Sequence, residues 1–175
     1  MDRRRSLLVL RHAQTEEARP GRPDKERRLT PDGERQATEV GDHLRTLGIA
    51  VDTVLCSSAA RARQTLELLK PDDQQASGQV DVADRFYNAG TDTLIEALRE
   101  LPDDRHVALL IGHAPGAPGV VYELTDRSTS APEAVAAIEG RFPAAALAQL
   151  EFDGDWSQLG SCSLTRVWMP GAGGT

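Results

Sequence analysis

Cysteine is scarce in this chain of 175 residues: Cys56 and Cys162 are the only two, they stand far apart, and no CxxC pair exists. That scarcity excludes a disulfide framework and a cysteine zinc site, and it makes a reducing cytoplasm the expected setting. Long apolar runs are missing as well. No stretch approaches the roughly 20 apolar residues that a membrane helix needs, so no membrane partner is expected. The opening MDRRRSLLVLRHA imitates a signal peptide, but its apolar run is short and Arg11 and His12 end it. Positive charge is not in excess either. Lys+Arg 20 against Asp+Glu 27 leaves a formal charge of −7, which argues against a nucleic-acid partner, whose phosphates reward a basic face. A local basic pocket is compatible with that balance.

What is present has a regular order. The length suits a single domain over residues 1–175, with 1–5 and the glycine-rich 170–175 as flexible ends. Residues 6–10 read as a short buried strand, followed by a polar loop, EEARPGRPDKERRL. Thr30 then stands as an N-cap with Pro31 at the first helical position, Ala37, Val40, Leu44 and Leu47 recur at helical spacing, and Gly48 is the stop. VDTVLCS is a second strand and SAARARQTLELLK a helix with Ala62, Thr65, Leu66 and Leu69 on one face. Residues 70–79 form a polar loop, QVDVAD a short strand, and Thr91 or Thr93 caps a helix with Leu94, Ala97, Leu98 and Leu101 inward. HVALLIGHAPG is a strand running into a turn, GVVYELT a short helix, and the last third holds a helix near 132–139 and strands near 145–152 and 162–168. Strands alternating with helices predict an α/β fold, a three-layer α/β/α sandwich around a mostly parallel central sheet.

In such sheets function gathers outside the carboxyl ends of the strands. Arg11 and His12 follow the first strand, Arg61 follows the second in CSSAARARQT, and His113 follows the strand VALLIG. A parallel sheet brings these places to one edge. Two imidazoles and two guanidiniums meeting there make a pocket for a dianion. Arginine matches phosphate oxygens with a planar fork, and a neutral histidine can attack phosphorus. Among the other histidines, His43 sits in an amphipathic helix and reads as surface, while His106 opens a strand. Arg3, Arg4 and Arg5 read as a solubilising end, Arg63 as a solvated helix residue and Cys56 as a small buried hydrophobe.

The stretches LRHAQT, SSAARARQT and IGHAPG resemble the three signatures of the histidine phosphatase superfamily, also called phosphoglycerate-mutase-like. The resemblance implies His12 as the phosphorylated nucleophile, with Arg11, Arg61 and His113 holding the phosphoryl group and Thr15 adding a hydroxyl. It selects Arg61 over Arg63, since the family's arginine directly precedes the alanine of RA-x-x-T. RHA followed by DKERRLTPDGERQA, together with FYNAGTDTLIEALRELPDD, is similar to the SixA-type protein-histidine phosphatases and their Asp-x-x-Arg-Pro-Leu-Thr-like stretch. Asp24, Arg27, Leu29 and Thr30 match that stretch, whereas Arg28 replaces its proline, and Arg27 becomes a candidate for a further phosphate or substrate contact. Ala18 stands where sugar-phosphate members and mutases often have an asparagine, and Ala114 where the acid-phosphatase branch has a proton-donating aspartate. Other members use a middle-region glutamate, and Asp84 is the nearest candidate for such a general acid.

The expected activity is therefore a metal-independent, cofactor-free phosphatase working through phospho-His12, with a phosphohistidine-bearing protein as the favoured substrate. An imidazole leaves far more readily than an alkoxide, since its reference pKa is about 6.5 and a phosphorylated ring can be protonated before departure, and the short span from Arg61 to His113 leaves little chain for a lid. The alternatives are a small-molecule phosphoester phosphatase, a mutase, a non-catalytic phosphate-binding module and a metal site on the two histidines. The last ranks lowest, because no carboxylate or thiolate stands at ligand spacing with them. The sequence does not fix the oligomeric state.

Overall fold

The computed structural model describes residues 4–69 and 79–171. Its strands are β1 (Arg4–Arg11), β2 (Thr53–Ser57), β3 (Gln79–Ala83), β4 (Val107–Gly112), β5 (Leu147–Asp153) and β6 (Ser163–Trp168). Its helices are α1 (Pro31–Thr46), α2 (Ala60–Leu69), α3 (Thr91–Arg99), α4 (Gly116–Leu124) and α5 (Pro132–Ile138). One six-stranded sheet runs in the order β3-β2-β4-β1-β5-β6. The pairings β3–β2, β2–β4 and β4–β1 are parallel, and β1–β5 and β5–β6 antiparallel, so β5 alone runs against the rest.

The apolar run at the start of the chain is continuous because both of its faces are covered. Leu7 and Val9 point into a core shared with α3, α4 and α5, including Leu94, Leu98, Val120, Val121 and Ile138. Leu8 and Leu10 point the other way, against Ala37, Val40 and Leu44 of α1 and Ala62 and Leu69 of α2. Helices therefore cover the sheet on both sides, the three-layer arrangement that the strand–helix alternation predicts. Helix α1 begins as expected, with the Thr30 hydroxyl accepting from the Gly33 amide at 3.0 Å and Pro31 in the first turn. Gly33 is required by a close approach: a Cβ there would collide with the backbone carbonyl of Gln14, two residues past His12.

Some expectations fail locally. Neither Thr91 nor Thr93 caps α3. Gly90 is its N-cap, and the Thr91 hydroxyl reaches the Gly116 carbonyl at 3.4 Å. Arg4 and Arg5 belong to β1 rather than to a flexible end, and Arg5 is buried, donating to the carbonyls of Gly154 and Asp103. His43 is half-buried and stacks on Trp168 at 5.5 Å between ring centroids, an aromatic contact that a periodicity argument confined to one helix does not reveal. The expected flexible ends at 1–3 and 172–175, and the loop at 70–78, lie outside the described residues. Among the described residues no helix is long and apolar enough to cross a membrane, and Cys56 and Cys162 are free and buried.

Candidate active site

The three parallel strands β1, β4 and β2 end level with one another. Arg11 pairs with Gly112, and Cys56, one residue before the end of β2, pairs with Ile111. The turns that follow therefore open onto one edge, and the residues singled out in the sequence meet there. The His12 and His113 rings lie 5.0 Å apart between centroids, tilted by 55°. Arg61, in the first turn of α2, is buried beside them.

The backbone holds His12 from both sides. Its amide donates to the Gly112 carbonyl at 3.0 Å, and the Ala13 amide donates to the Thr65 hydroxyl at 3.1 Å, which in turn donates to the Arg61 carbonyl at 2.7 Å. The His12 ring places Nδ1 2.8 Å from the Ala13 carbonyl oxygen. A carbonyl can only accept, so Nδ1 carries the proton and Nε2 keeps its lone pair. Burial lowers the His12 pKa to about 4, the positive charges of Arg61, Arg11 and Arg27 adding to the depression while the Ala13 carbonyl opposes it. The ring is neutral at neutral pH. His113 is lowered to about 3, by burial first and then by His12 and Arg61. Its Nε2 is 2.6 Å from the Ser57 hydroxyl, at the end of β2.

The polar loop after His12 folds back over this edge. Its base is tied by Glu16 to Arg28 (2.9 Å) and Thr30 to Gln14 (3.1 Å) through the backbone. At its tip Asp24 gathers the cations: Arg61 donates to its carbonyl at 2.9 Å and its carboxylate at 3.1 Å, Arg27 to the carboxylate at 2.8 Å, and the Tyr87 hydroxyl to the same carboxylate at 2.7 Å. The Tyr87 hydrogen bond leads in holding the Asp24 pKa far below the usual carboxylate range, Arg27 and Arg61 adding to it. Tyr87 also stands edge-on to His113 at 5.7 Å. Arg27 reaches the Thr15 hydroxyl at 3.0 Å, which links two of the expected phosphate contacts. Arg11 turns its Nη1 to the Phe142 carbonyl at 3.0 Å.

Asp84 adjoins this network through the Tyr87 amide, which donates to its carbonyl at 3.0 Å, but its side chain has other partners. Its carboxylate is bound by Lys25 at 2.6 Å and Ser58 at 2.5 Å, and these bonds lower its pKa. It is held as a carboxylate, the form that has no proton to give. Sequence reasoning missed the parts played by Asp24, Tyr87 and Ser57. The only signal for the first two was their position within the stretches DKERRLT and FYNAG.

Three buried nitrogens of the site, Arg11 Nε, Arg61 Nε and His113 Nδ1, have no hydrogen-bond partner. Buried polar groups are paired as a rule, so the orphaned Arg11 and Arg61 N–H groups near His12 call for a ligand rich in acceptors, and His113 Nδ1 joins them in the tautomer in which Ser57 donates to its Nε2. A phosphoryl group, whose bare oxygens only accept, fits that demand. No cluster of metal-ligating side chains is present among the described residues.

The fold and this edge define the class. Residues 7–119 match the model of the histidine phosphatase superfamily, branch 1, and the chain belongs to that superfamily. It is a phosphohydrolase of the histidine phosphatase type. A solved structure from Nakamurella multipartitia, named for the phosphohistidine phosphatase SixA, is 35% identical with a TM-score of 0.83, over 97% of this chain and 98% of that one. An uncharacterized protein of Mycobacterium leprae is 34% identical over 154 residues, 86% of this chain and 91% of its own length. A broad-specificity phosphatase of Saccharomyces cerevisiae is 38% identical over 71 residues, covering 39% of this chain and 31% of that protein.

Proposed function

We propose that the protein removes phosphate from phosphohistidine on another protein, by way of a phosphohistidine intermediate on His12. The observation that carries this reading is the His12 ring, neutral and with its Nδ1 proton on the Ala13 carbonyl, so that Nε2 is free to attack. The substrate's phosphorylated ring takes a proton from water on its other nitrogen, His12 Nε2 attacks phosphorus, and the P–N bond breaks with its electron pair leaving on a neutral imidazole. Water then attacks phospho-His12 and releases inorganic phosphate. Arg11, Arg61 and His113 hold the transferring group, and the charge of the two arginines with their N–H donors stabilises the oxygens as charge shifts. Thr15 and Arg27 contact the phosphoryl group from the folded-back loop.

The leaving group follows from what the edge lacks. Asp84 and Asp24 are both held as carboxylates, their pKa values lowered by the hydrogen bonds they accept. An alkoxide needs a proton donated as it leaves; a phosphorylated imidazole, from a ring whose reference pKa is about 6.5, can take its proton from solvent before it departs and needs no acid from the protein. A reducing cytoplasm suits the two free cysteines. The second reading is a small-molecule phosphoester phosphatase, which the yeast relative's name favours. A comparison of kcat/KM for a phosphohistidine-bearing carrier protein and a panel of sugar phosphates separates the two. Preference for the carrier is expected, and strong preference for one sugar phosphate would remove the protein substrate.

A further inference from the structure

We propose that a basic cleft at the rim of the active site docks an acidic segment of the protein that carries the phosphoryl group, a proposal that rests on the protein-substrate reading above. The cleft has a volume of about 430 Å³ and is lined by Arg22, Lys25, Glu26, Arg28, Ser58 and Arg63 together with Ala60. Four cations face one anion. Arg22 is matched by Glu16 at 2.9 Å and Lys25 by Asp84 at 2.6 Å. Arg28 and Arg63 are exposed and make no ion pair among the described residues. They leave the cleft positive on a chain whose formal charge is −7.

The place of the cleft is as telling as its charge. Lys25 lies 5.6 Å from the centre of the Tyr87 ring, and Tyr87 is edge-on to His113. Ser58 follows Ser57, the hydrogen-bond partner of His113. Arg63 is two residues beyond Arg61 in α2. A chain lying on Arg28 and Arg63 therefore also passes Lys25 and Ser58, which adjoin Tyr87 and Ser57, the two neighbours of His113. Arg28 is also the residue that replaces the proline of the SixA-like stretch, so one of the two unpaired guanidiniums comes from this sequence's own departure from the pattern.

On a net acidic protein a positive cleft favours an acidic partner over the surrounding surface, so it biases the orientation in which the partner arrives. The bonus is electrostatic and belongs to the encounter. It acts on kcat/KM, weakens with salt, and passes by a small phosphoester that never reaches the cleft.

The test uses two phosphohistidine peptides of equal length, one flanked by glutamates and one by lysines, with an aryl phosphate as control. The parent should favour the acidic peptide by about tenfold in kcat/KM at low salt, and the preference should shrink as ionic strength rises. R28E/R63E should cancel or invert it, and R28P and R28Q/R63Q should reduce it. All variants should keep the aryl phosphate rate within about twofold, which also reports that they are folded. Equal turnover of the two peptides by the parent, or a preference that survives R28E/R63E, overturns the docking cleft while leaving the phosphohistidine substrate standing. Turnover of the aryl phosphate with neither peptide cleaved overturns the protein substrate, and the cleft's role with it.

Discussion

Acidification probes the nucleophile directly, because burial and three neighbouring arginines hold the His12 ring neutral down to about pH 4. An ordinary histidine, with a pKa of about 6.5, would be only about 3% neutral at pH 5. With a pKa near 4, His12 is about 90% neutral at the same pH, a difference of about thirtyfold in the attacking form. The assay is an NMR titration of the imidazole Cε1 protons. The chain has four histidines, and His12→Gln identifies the signal. Stability should respond with a defined sign. The unfolded ring takes up its proton near pH 6.5 and the folded ring only near 4, so the unfolded state binds more protons between those values. Stability is complete above pH 6.5 and falls as pH drops toward 4, by about 3 kcal/mol for this group. Urea midpoints of the parent should therefore fall more steeply across that window than those of His12→Gln. A His12 midpoint at 6.5 or above, or equal slopes in the two proteins, would refute the claim that burial keeps the nucleophile neutral.

His12→Ala should abolish turnover of an aryl phosphate while leaving phosphate binding measurable; a variant as active as the parent would displace His12 from its role. Asp24→Asn removes an anion that holds Arg27, Arg61 and Tyr87. Inhibition by orthovanadate should tighten about fivefold, roughly 1 kcal/mol, because the half-exposed carboxylate competes with the oxyanion for the same forks. Weaker inhibition would mean that its positioning of the arginines outweighs that competition. Gly33→Ala forces a Cβ against the Gln14 carbonyl. A loss of about 1–3 kcal/mol in stability, with a fall in kcat, is expected from urea melts and steady-state rates. Hydrolysis should survive excess EDTA, since the described residues hold no cluster of metal ligands; loss of activity would revive a metal site.

The convergence of Arg11, His12, Arg61 and His113 was readable from the chain because it depends on backbone order. Each ends a strand or stands in the turn or helix that follows one, those strands are parallel neighbours, and side chains at their carboxyl ends must share an edge. The hydrogen-bonded cluster around Asp24 was not readable in the same way. Asp24 meets Arg61 and Tyr87 across 37 and 63 residues, through loop conformations that neither periodicity nor capping encodes. Arg5 misled for a related reason. A basic run at a chain start is solvated by default, and burial of one guanidinium is made tolerable by partners distant in sequence, among them the carbonyls of Asp103 and Gly154 and the carboxylates of Asp103 and Asp155. The short helix and two strands of the last third were placed to within a few residues, but their direction was not. The reversal of β5 beside β1 follows from a pairing register that sequence alone leaves open.

Rapid-quench labelling addresses the central claim most directly. The protein is mixed with a ³²P-labelled substrate, stopped in alkali within milliseconds, digested and mapped. The account predicts a transient label that is stable to base, labile to acid, located on His12 and missing from His12→Ala. A label on any other residue, or turnover with no labelled protein at any time point, would contradict it.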